Sequence, residues 1–165
     1  IGCFAIAILA ALFIVTFVGQ RVQVDGHSME DTLQDRDNLI CDKLSYRFSD
    51  PERYDIVVIY PDEQKDKRWI KRIIGLPGET VEFKNNVLYI NGEKLEENYG
   101  TGITADFNLS DLGYTIIPDN TYFVVGDNRN NSLDSRYFGC IDQSQIIGTV
   151  HTTIFPFSKF GKIEK

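Results

Sequence analysis

The first 19 residues contain no charged side chain, whereas all 24 acidic and 17 basic residues of the chain follow Gly19. As an α-helix this run would span roughly 28 Å, close to the thickness of a bilayer's hydrocarbon core. A secretory signal segment and a buried core helix are the alternatives, but the run exceeds the roughly 7 to 15 apolar residues of a signal segment. We therefore expect a transmembrane anchor over residues 1–19, N-terminally incomplete because the chain opens on Ile1 rather than Met.

Charge and residue types narrow the function of the remaining chain. The net charge of −7 argues against nucleic-acid binding. Five of the eight residues in 65–72 are basic, and this run either is a solvated surface or faces anionic lipid headgroups. The three cysteines and two histidines show neither Cys-x-x-Cys nor His-x-x-x-His spacing, so we predict no metal and no cofactor.

Apolar residues after the anchor recur at every second position or in short runs between turn residues, which favours strands. Val22 and Val24 alternate with polar neighbours, and residues 81–95 contain Asn-Asn and Asn-Gly turns typical of consecutive hairpins. Residues 96–113 are polar and indicate an exposed loop or the edge of a lobe. We predict one mostly-β domain over 20–165, with 82–114 as an inserted β lobe. The further strand candidates are 39–44, 56–60, 69–74, 122–125 and 146–155.

Ser28 follows the apolar run by nine residues and is the first candidate for chemistry. A serine hydroxyl is a poor nucleophile at neutral pH unless a base takes its proton. His27 is its neighbour, but adjacent residues in an extended strand point to opposite faces. His151 lies in a β-branched run, where a hydrogen-bonded strand residue is the commoner role for histidine.

Lys71 is a third candidate base, because an ammonium in an apolar pocket can lose its proton near neutral pH. Strand alternation places Lys71 on one face with Trp69 and Ile73, and Arg72 on the other. Periodicity alone leaves open which cation is buried, but only lysine can deprotonate in a protein. A surface charge within the basic run is the alternative interpretation of Lys71.

Residues 126–139 follow a predicted strand and are dense in side chains that hydrogen-bond their own backbone. Asp134 and Arg136 can form a charge-assisted pair, and Ser132 could orient a neutral amine. A solvated turn rich in Asn and Asp explains these residue types equally well.

Three motifs occur in order behind the apolar run and together resemble the bacterial type I signal peptidases, from the anchor to Phe155. Residues 26–33 match Gly-x-Ser-Met-x-x-Thr-Leu, and residues 71–78 match Lys-Arg-x-x-Gly-x-Pro-Gly. Residues 126–136 match Gly-Asp-Asn-Arg-x-Asn-Ser-x-Asp-Ser-Arg. The resemblance implies a signal-peptidase/repressor-type complex β fold in which Ser28 is the nucleophile and Lys71 the base.

The chain departs from the family pattern at a few positions. Asp31 stands where the family commonly has Pro, and Tyr54 where it usually has Gly. Gly26 stands where some members carry a serine that helps to bind the oxyanion, so the resemblance assigns that role mainly to the Ser28 backbone N–H. The Gly pattern and the short domain suggest a Gram-positive type.

The resemblance also implies the reaction: an acyl-enzyme endopeptidase that removes the signal peptide of an exported preprotein after an Ala-x-Ala sequence. Ser132 would orient the Lys71 amine, while Asp134 and Arg136 would hold the loop. The anchor in the bilayer would keep the catalytic domain on the extracytoplasmic side of the cell membrane. Apolar residues assigned to the substrate pockets, each equally explicable as core, are Val22, Val24, Met29, Leu33 and Ile70.

Other classes of protein remain as alternatives. A Ser-His signal peptidase of the endoplasmic-reticulum type would carry histidine at the position of Lys71, and a self-cleaving repressor would lack the anchor. A catalytically idle, membrane-tethered β-domain that binds extended peptides would be expected to have lost Ser28 or Lys71. We expect the three motifs to meet in one site.

Overall fold

The computed structural model describes residues 2–13, 18–30, 32–61 and 67–163. Within these ranges the chain forms two α-helices, α1 (Gly2–Phe13) and α2 (Ser135–Phe138), and twelve strands. The strands are β1 (Gly19–Gln23), β2 (Asn38–Asp42), β3 (Ile56–Ile59), β4 (Trp69–Gly75), β5 (Val81–Lys84), β6 (Val87–Ile90), β7 (Glu93–Leu95), β8 (Phe107–Asn108), β9 (Thr121–Val125), β10 (Ile141–Asp142), β11 (Ile146–Phe155) and β12 (Gly161–Lys162). The prediction of a mostly-β chain is confirmed.

The larger sheet has the strand order β1-β2-β11-β3-β4-β9-β10, with β12 paired to β11, and its pairs are antiparallel. The ten-residue β11 pairs with β2, β3 and β12 and so joins the two halves of the sheet. β4 lies between β3 and β9. Its backbone is therefore hydrogen-bonded on both sides, which fixes the side chains that it carries.

The smaller sheet has the order β7-β6-β5-β8. Its first hairpin turns at Asn85 and Asn86, whose φ angles of 52° and 62° suit the tight turn that the right-handed twist of paired strands favours. Asn91 and Gly92 make the second turn with φ angles of 53° and 80°. The consecutive hairpins predicted from the Asn-Asn and Asn-Gly pairs are confirmed.

Two short elements lie in the segment that the sequence describes only as polar. Phe107 and Asn108 form β8, and a 3-10 turn follows over Leu109–Leu112. The Phe107 ring packs 5.4 Å from that of Phe123, between centroids, at the junction of the two sheets. A strand of two residues is too short to show alternation, so the sequence pattern could not reveal it.

The predicted N-terminal helix is corrected at its C-terminal end. α1 covers Gly2–Phe13, residues 1 and 14–17 lie outside the described part, and Gly19 already belongs to β1, where it pairs with Asp42. No helix in the described ranges combines the length and apolarity of a membrane span. Gly19 is extended because it pairs with Asp42 of β2, a contact between distant segments that local hydropathy does not report.

Candidate active site

Ser28 and Lys71 are brought into direct contact. Ser28 lies in a turn after β1, and Lys71 is the third residue of β4. The Lys71 Nζ donates a hydrogen bond to the Ser28 Oγ over 2.7 Å, across 43 residues of sequence. Because β4 is held on both sides, the amine is presented to the turn from a rigid element.

Burial controls the charge of Lys71, which is only 4% exposed. The ammonium forms no ion pair within the described residues, and the centroid of the Trp69 ring is 5.8 Å from its nitrogen. Burial lowers the pKa of Lys71 from 10.5 to about 8, an effect that Asp134 opposes and Arg136 assists. A substantial fraction of this amine is therefore neutral near physiological pH.

Arg72, the next residue, is also buried but is fully paired. Its Nε and Nη2 donate to the two carboxylate oxygens of Asp127 over 2.9 and 2.7 Å. Its Nη1 donates to the Tyr54 carbonyl, and its guanidinium lies 4.1 Å from the Tyr99 ring centroid. Alternation left open which cation of β4 is buried, and the structure buries both, on opposite faces.

The loop between β9 and α2 is held by the Asp134–Arg136 pair. Asp134 is completely buried and accepts hydrogen bonds from the Nε and Nη2 of Arg136, each over 2.8 Å. It also caps α2 by accepting from the Arg136 N–H, and it accepts from the Gly126 N–H. The predicted pair is present, and it ties both ends of the loop together.

Ser132 differs from the expectation. Its Oγ is buried without a hydrogen-bond partner in the described part of the chain, so the expected bond to Lys71 is not formed. Gly126 explains how close the segments are: a Cβ there would lie 2.2 Å from the Ser132 Oγ and 2.5 Å from the Ser28 carbonyl oxygen. Only glycine allows this approach.

The backbone around Ser28 leaves one donor available. The Ser28 carbonyl accepts from the Asn128 N–H over 3.0 Å, whereas the Ser28 N–H donates to no acceptor among the described residues. Gly26 precedes it with a φ of 96°, which favours glycine, and its N–H donates to Asp35. Hydrogen bonds therefore hold the backbone before and after the Ser28 N–H, which itself has no acceptor among the described residues.

Neither histidine contacts the Ser28 hydroxyl. The His27 ring is more than half exposed, and its Nδ1 lies 2.7 Å from the Glu30 Oε1. The hydrogen bond to Glu30 raises the pKa of His27. His151 lies in β11 and makes no side-chain hydrogen bond to Ser28. Lysine is therefore the base candidate that the geometry favours.

A cleft of about 200 Å³ opens beside Ser28 and Lys71, and its walls include Ile70, Trp69 and Leu133. An adjoining groove of about 610 Å³ includes Val22 and shares Asp25, Arg68 and Trp69 with the cleft. The five residues predicted to form substrate pockets all belong to one buried apolar cluster. Of these, Ile70 also lines the cleft and Val22 the groove.

Val24, Met29 and Leu33 pack within that cluster, as the core interpretation of these residues held. In the described ranges, no three side chains of His, Cys, Asp or Glu converge as a metal site. Burial raises the pKa values of Cys41 and Cys140 to about 11, so both thiols are protonated and unreactive at neutral pH.

The family described as "Signal peptidase, peptidase S26" matches residues 1–155. The chain belongs to this signal peptidase family. It is accordingly a peptide-bond hydrolase of the signal peptidase I kind.

Named relatives extend over most of the chain. A probable signal peptidase I-2 of Synechocystis sp. is 42% identical over 160 residues, which are 94% of this chain and 72% of the relative. The signal peptidase I of Bacillus caldolyticus is 39% identical and covers 95% of this chain and 90% of its own. A crystal structure of a signal peptidase I from Enterococcus faecalis, 39% identical, superimposes with a TM-score of 0.57 over 61% of this chain and 97% of that one. The Bacillus relative agrees with the expected Gram-positive type.

Tyr54 departs from the signal peptidase pattern and adopts a backbone conformation that favours glycine. Its φ is 72°, in the left-handed region where glycine is strain-free. The strained residue offers its carbonyl to Arg72 and packs its ring edge-on against Tyr99, with centroids 5.7 Å apart. Asp31, the other departure, lies outside the described residues.

Sequence reasoning missed Trp69, Asn131 and Leu133 as cleft residues. Trp69 could have been found, because alternation on β4 puts it on the same face as Lys71. Leu133 gave no such signal, since it lies in an irregular loop. The position of this half-exposed leucine at the cleft is visible only when the loop is seen beside Ser28.

Proposed function

We propose that this signal peptidase cuts preproteins by a Ser-Lys mechanism with Ser28 as nucleophile and Lys71 as general base. The observation that carries the proposal is the 2.7 Å hydrogen bond between the Lys71 Nζ and the Ser28 Oγ, formed by an almost wholly buried amine. A base must lie within hydrogen-bond reach of the proton that it removes, and its pKa must be near the working pH. Lys71 meets both conditions.

In the first half of the reaction the neutral Lys71 amine takes the Ser28 hydroxyl proton while the oxygen attacks the scissile carbonyl. The tetrahedral intermediate collapses when the C–N bond breaks, and the Lys71 ammonium returns the proton to the leaving amine. In the second half, neutral Lys71 takes a proton from water, which attacks the acyl-enzyme. The ammonium then returns the proton to the Ser28 oxygen as the signal peptide leaves.

The supporting roles are assigned to neighbouring groups. The Ser28 N–H is the proposed oxyanion donor, because it belongs to the nucleophile and has no acceptor among the described residues. Asp134 and Arg136 hold the loop that presents Ser132. Ser132 is proposed to orient the Lys71 amine during turnover, when acylation of Ser28 removes the bond seen in the resting enzyme.

The proposed substrate is a preprotein whose signal peptide ends in Ala-x-Ala, bound in an extended conformation along the cleft and the groove. A cleft of about 200 Å³ suits small side chains beside the nucleophile. Ile70 and Val22 would then contact the substrate directly. Val24, Met29 and Leu33 would lie beneath them in the buried cluster and support these sites.

The residues that precede β1, up to residue 18, are proposed to contain a membrane anchor, with the chain from Gly19 onward as the extracytoplasmic catalytic domain and 82–114 as its inserted lobe. The side chains of α1 include no buried residue, and its large apolar side chains, such as Phe4 at 78%, are exposed on every side. An uncharged helix with no polar face needs an apolar surrounding, which a bilayer supplies.

Preprotein cleavage by the Ser28→Ala variant in membranes tests the proposal, with Ser49→Ala as a control at an exposed serine. We expect Ser28→Ala to abolish cleavage and Ser49→Ala to keep it. The pH dependence adds a second test: kcat/KM should fall about tenfold per pH unit below about 8, because the base becomes protonated. Cleavage by Ser28→Ala, or a rate independent of pH from 8 to 6, would refute the mechanism.

A further inference from the structure

The peptide group between His27 and Ser28 contains both the His27 carbonyl and the Ser28 N–H. A peptide group is planar and trans, so these two bonds point in opposite directions and cannot turn independently. The Asn128 side chain donates a hydrogen bond from Nδ2 to the His27 carbonyl oxygen over 3.0 Å. Asn128 thus sets the direction of an N–H that it does not touch.

Asn128 holds the same turn a second time through its backbone. Its N–H donates to the Ser28 carbonyl oxygen over 3.0 Å. The peptide groups on both sides of the Ser28 Cα are therefore each bonded to Asn128. Rotation of either peptide would break one of the two hydrogen bonds.

The segment that connects two strands of the smaller sheet contacts Asn128. We call residues 97–104, between β7 and β8, the lobe strap. Its Thr101 pairs with Asn128 as an isolated parallel bridge, donating its N–H to the Asp127 carbonyl and accepting from the Arg129 N–H over 2.8 and 2.9 Å. Thr101 Oγ1 also donates to the carbonyl of Glu30, two residues beyond Ser28, over 3.1 Å.

Both sides of the strap are anchored by side chains of residues 129 and 130, one buried and one exposed. Arg129 is buried and donates from its guanidinium to the Glu97 carboxylate and to the Thr104 hydroxyl. The Asn130 Oδ1 accepts from the Ile103 N–H over 2.7 Å, and a Cβ at Gly102 would lie 2.4 Å from that oxygen. The strap therefore has little freedom to move away from Asn128.

We propose that Asn128, braced by Thr101 of the lobe strap, is a positioning residue that aims the Ser28 N–H at the oxyanion of the tetrahedral intermediate. This inference rests on the proposed function, since it requires Ser28 to be the nucleophile. It gives the smaller sheet a part in catalysis: the sheet supplies the strap that keeps the oxyanion donor in line. An oxyanion donor helps only when it is already aligned before charge develops.

The test compares Asn128→Ala with Gln145→Ala in the full chain in membranes. Gln145 is a matched control, because its side-chain Nε2 also donates to a distant backbone carbonyl, that of Tyr60. We expect Asn128→Ala to lower kcat at least about tenfold with KM changed less than about twofold, a part of the roughly 10²- to 10³-fold cost of losing an oxyanion donor. Gln145→Ala should keep the wild-type kcat.

Two further readouts separate positioning from a general structural effect. A peptide aldehyde ending in Ala-x-Ala forms a hemiacetal whose oxygen takes the oxyanion's place, so its affinity should fall in parallel with kcat. The pH midpoint of kcat should stay in place, because Asn128 carries no charge toward Lys71. Thr101→Val should lower kcat about threefold, as expected for one lost hydrogen bond, and Thr101→Ser should restore it.

An Asn128→Ala kcat within about twofold of that of Gln145→Ala would overturn the inference, as would an unchanged affinity for the aldehyde. Ser28→Ala, assayed beside them, separates this failure from failure of the proposed function. If Ser28→Ala still cleaves, the mechanism itself is wrong. If Ser28→Ala is inactive and Asn128→Ala is fully active, only the positioning role is lost.

Discussion

Two neighbouring cations of β4 lie on opposite faces of the strand and have different partners. On one face Arg72 is completely buried against Asp127, with a hydrogen bond to each carboxylate oxygen. On the other, Lys71 is nearly as buried, yet in the described part of the chain its nitrogen bonds to a hydroxyl and forms no ion pair. One charge is compensated and the other is not.

The difference shows how one strand can carry both structure and chemistry. A buried charge with a bidentate partner stays charged and fastens two segments together. A buried amine without a carboxylate loses its proton more easily, since burial lowers its pKa to about 8. We therefore expect structural stability to depend on the Arg72 face, and the proposed base to depend on the lack of a carboxylate partner for Lys71 among the described residues.

The largest effect is expected when Lys71 is replaced by a cation that, like Arg72, cannot lose its proton. Lys71→Arg keeps a cation but removes a group that can deprotonate, so kcat/KM for preprotein cleavage should fall at least about 10³-fold. Lys84→Arg, at an exposed position of β5, is the matched control. Retention of a tenth of the activity by Lys71→Arg would contradict a lysine base.

The next effect concerns the compensated face. Asp127→Ala should lower the free energy of unfolding by about 3 to 5 kcal/mol, because it leaves the Arg72 guanidinium buried and unpaired. Glu96→Ala removes one partner of an exposed pair with Lys94 and should cost less than about 1 kcal/mol. Chemical denaturation of both variants measures the contrast, and equal losses would show that burial does not separate the two pairs.

A smaller effect is expected at Ser132, where a substitution should lower activity without lowering stability. Ser132→Ala should reduce kcat about tenfold, since the neutral amine loses a group that orients it. The free energy of unfolding should stay constant or rise, because the buried Ser132 Oγ has no hydrogen bond to lose. Thermal unfolding and kinetic assays of the same sample test both expectations. An unchanged kcat would contradict a role of Ser132 in the mechanism.

The smallest effect should appear only in the pH profile. Arg136 lowers the pKa of Lys71 and Asp134 raises it, so Arg136→Gln leaves the Asp134 effect unopposed. The midpoint of the kcat/KM profile should then move to higher pH, and activity at neutral pH should fall. Lys94→Gln is the control: it removes a positive charge at an exposed position that is distant in sequence from Arg136, and it should leave the midpoint in place. A midpoint that moves to lower pH would reverse the assigned sign.

Much of the fold could be predicted from local patterns. The strand predicted over residues 146–155 matches β11, and the Asn turns predicted the hairpins of the smaller sheet. Patterns failed where an element was short or depended on a distant partner. β8 has two residues, and Gly19 is extended only because it pairs with β2.

The candidate site could be predicted in composition but less well in contacts. Chemistry made Ser28 and Lys71 candidates, because serine needs a base and lysine is the cation that can lose its proton, and the resemblance of the three motifs assigned them their roles. The expected Ser132 bond to Lys71 is not present, and the part played by Thr101 had no signal. Thr101 lies outside all three motifs, and its position beside Asn128 depends on how the two sheets meet.

The sequence by itself determined which residues can do the chemistry and most of the strands, since both depend on residue type and on near neighbours in the chain. Only the tertiary structure decided which of the two buried cations has a carboxylate partner among the described residues. Arg72 meets Asp127 across 55 residues, and Lys71 meets Ser28 across 43. Desolvation and pairing arise from such distant contacts, and they set the charge on which the proposed mechanism depends.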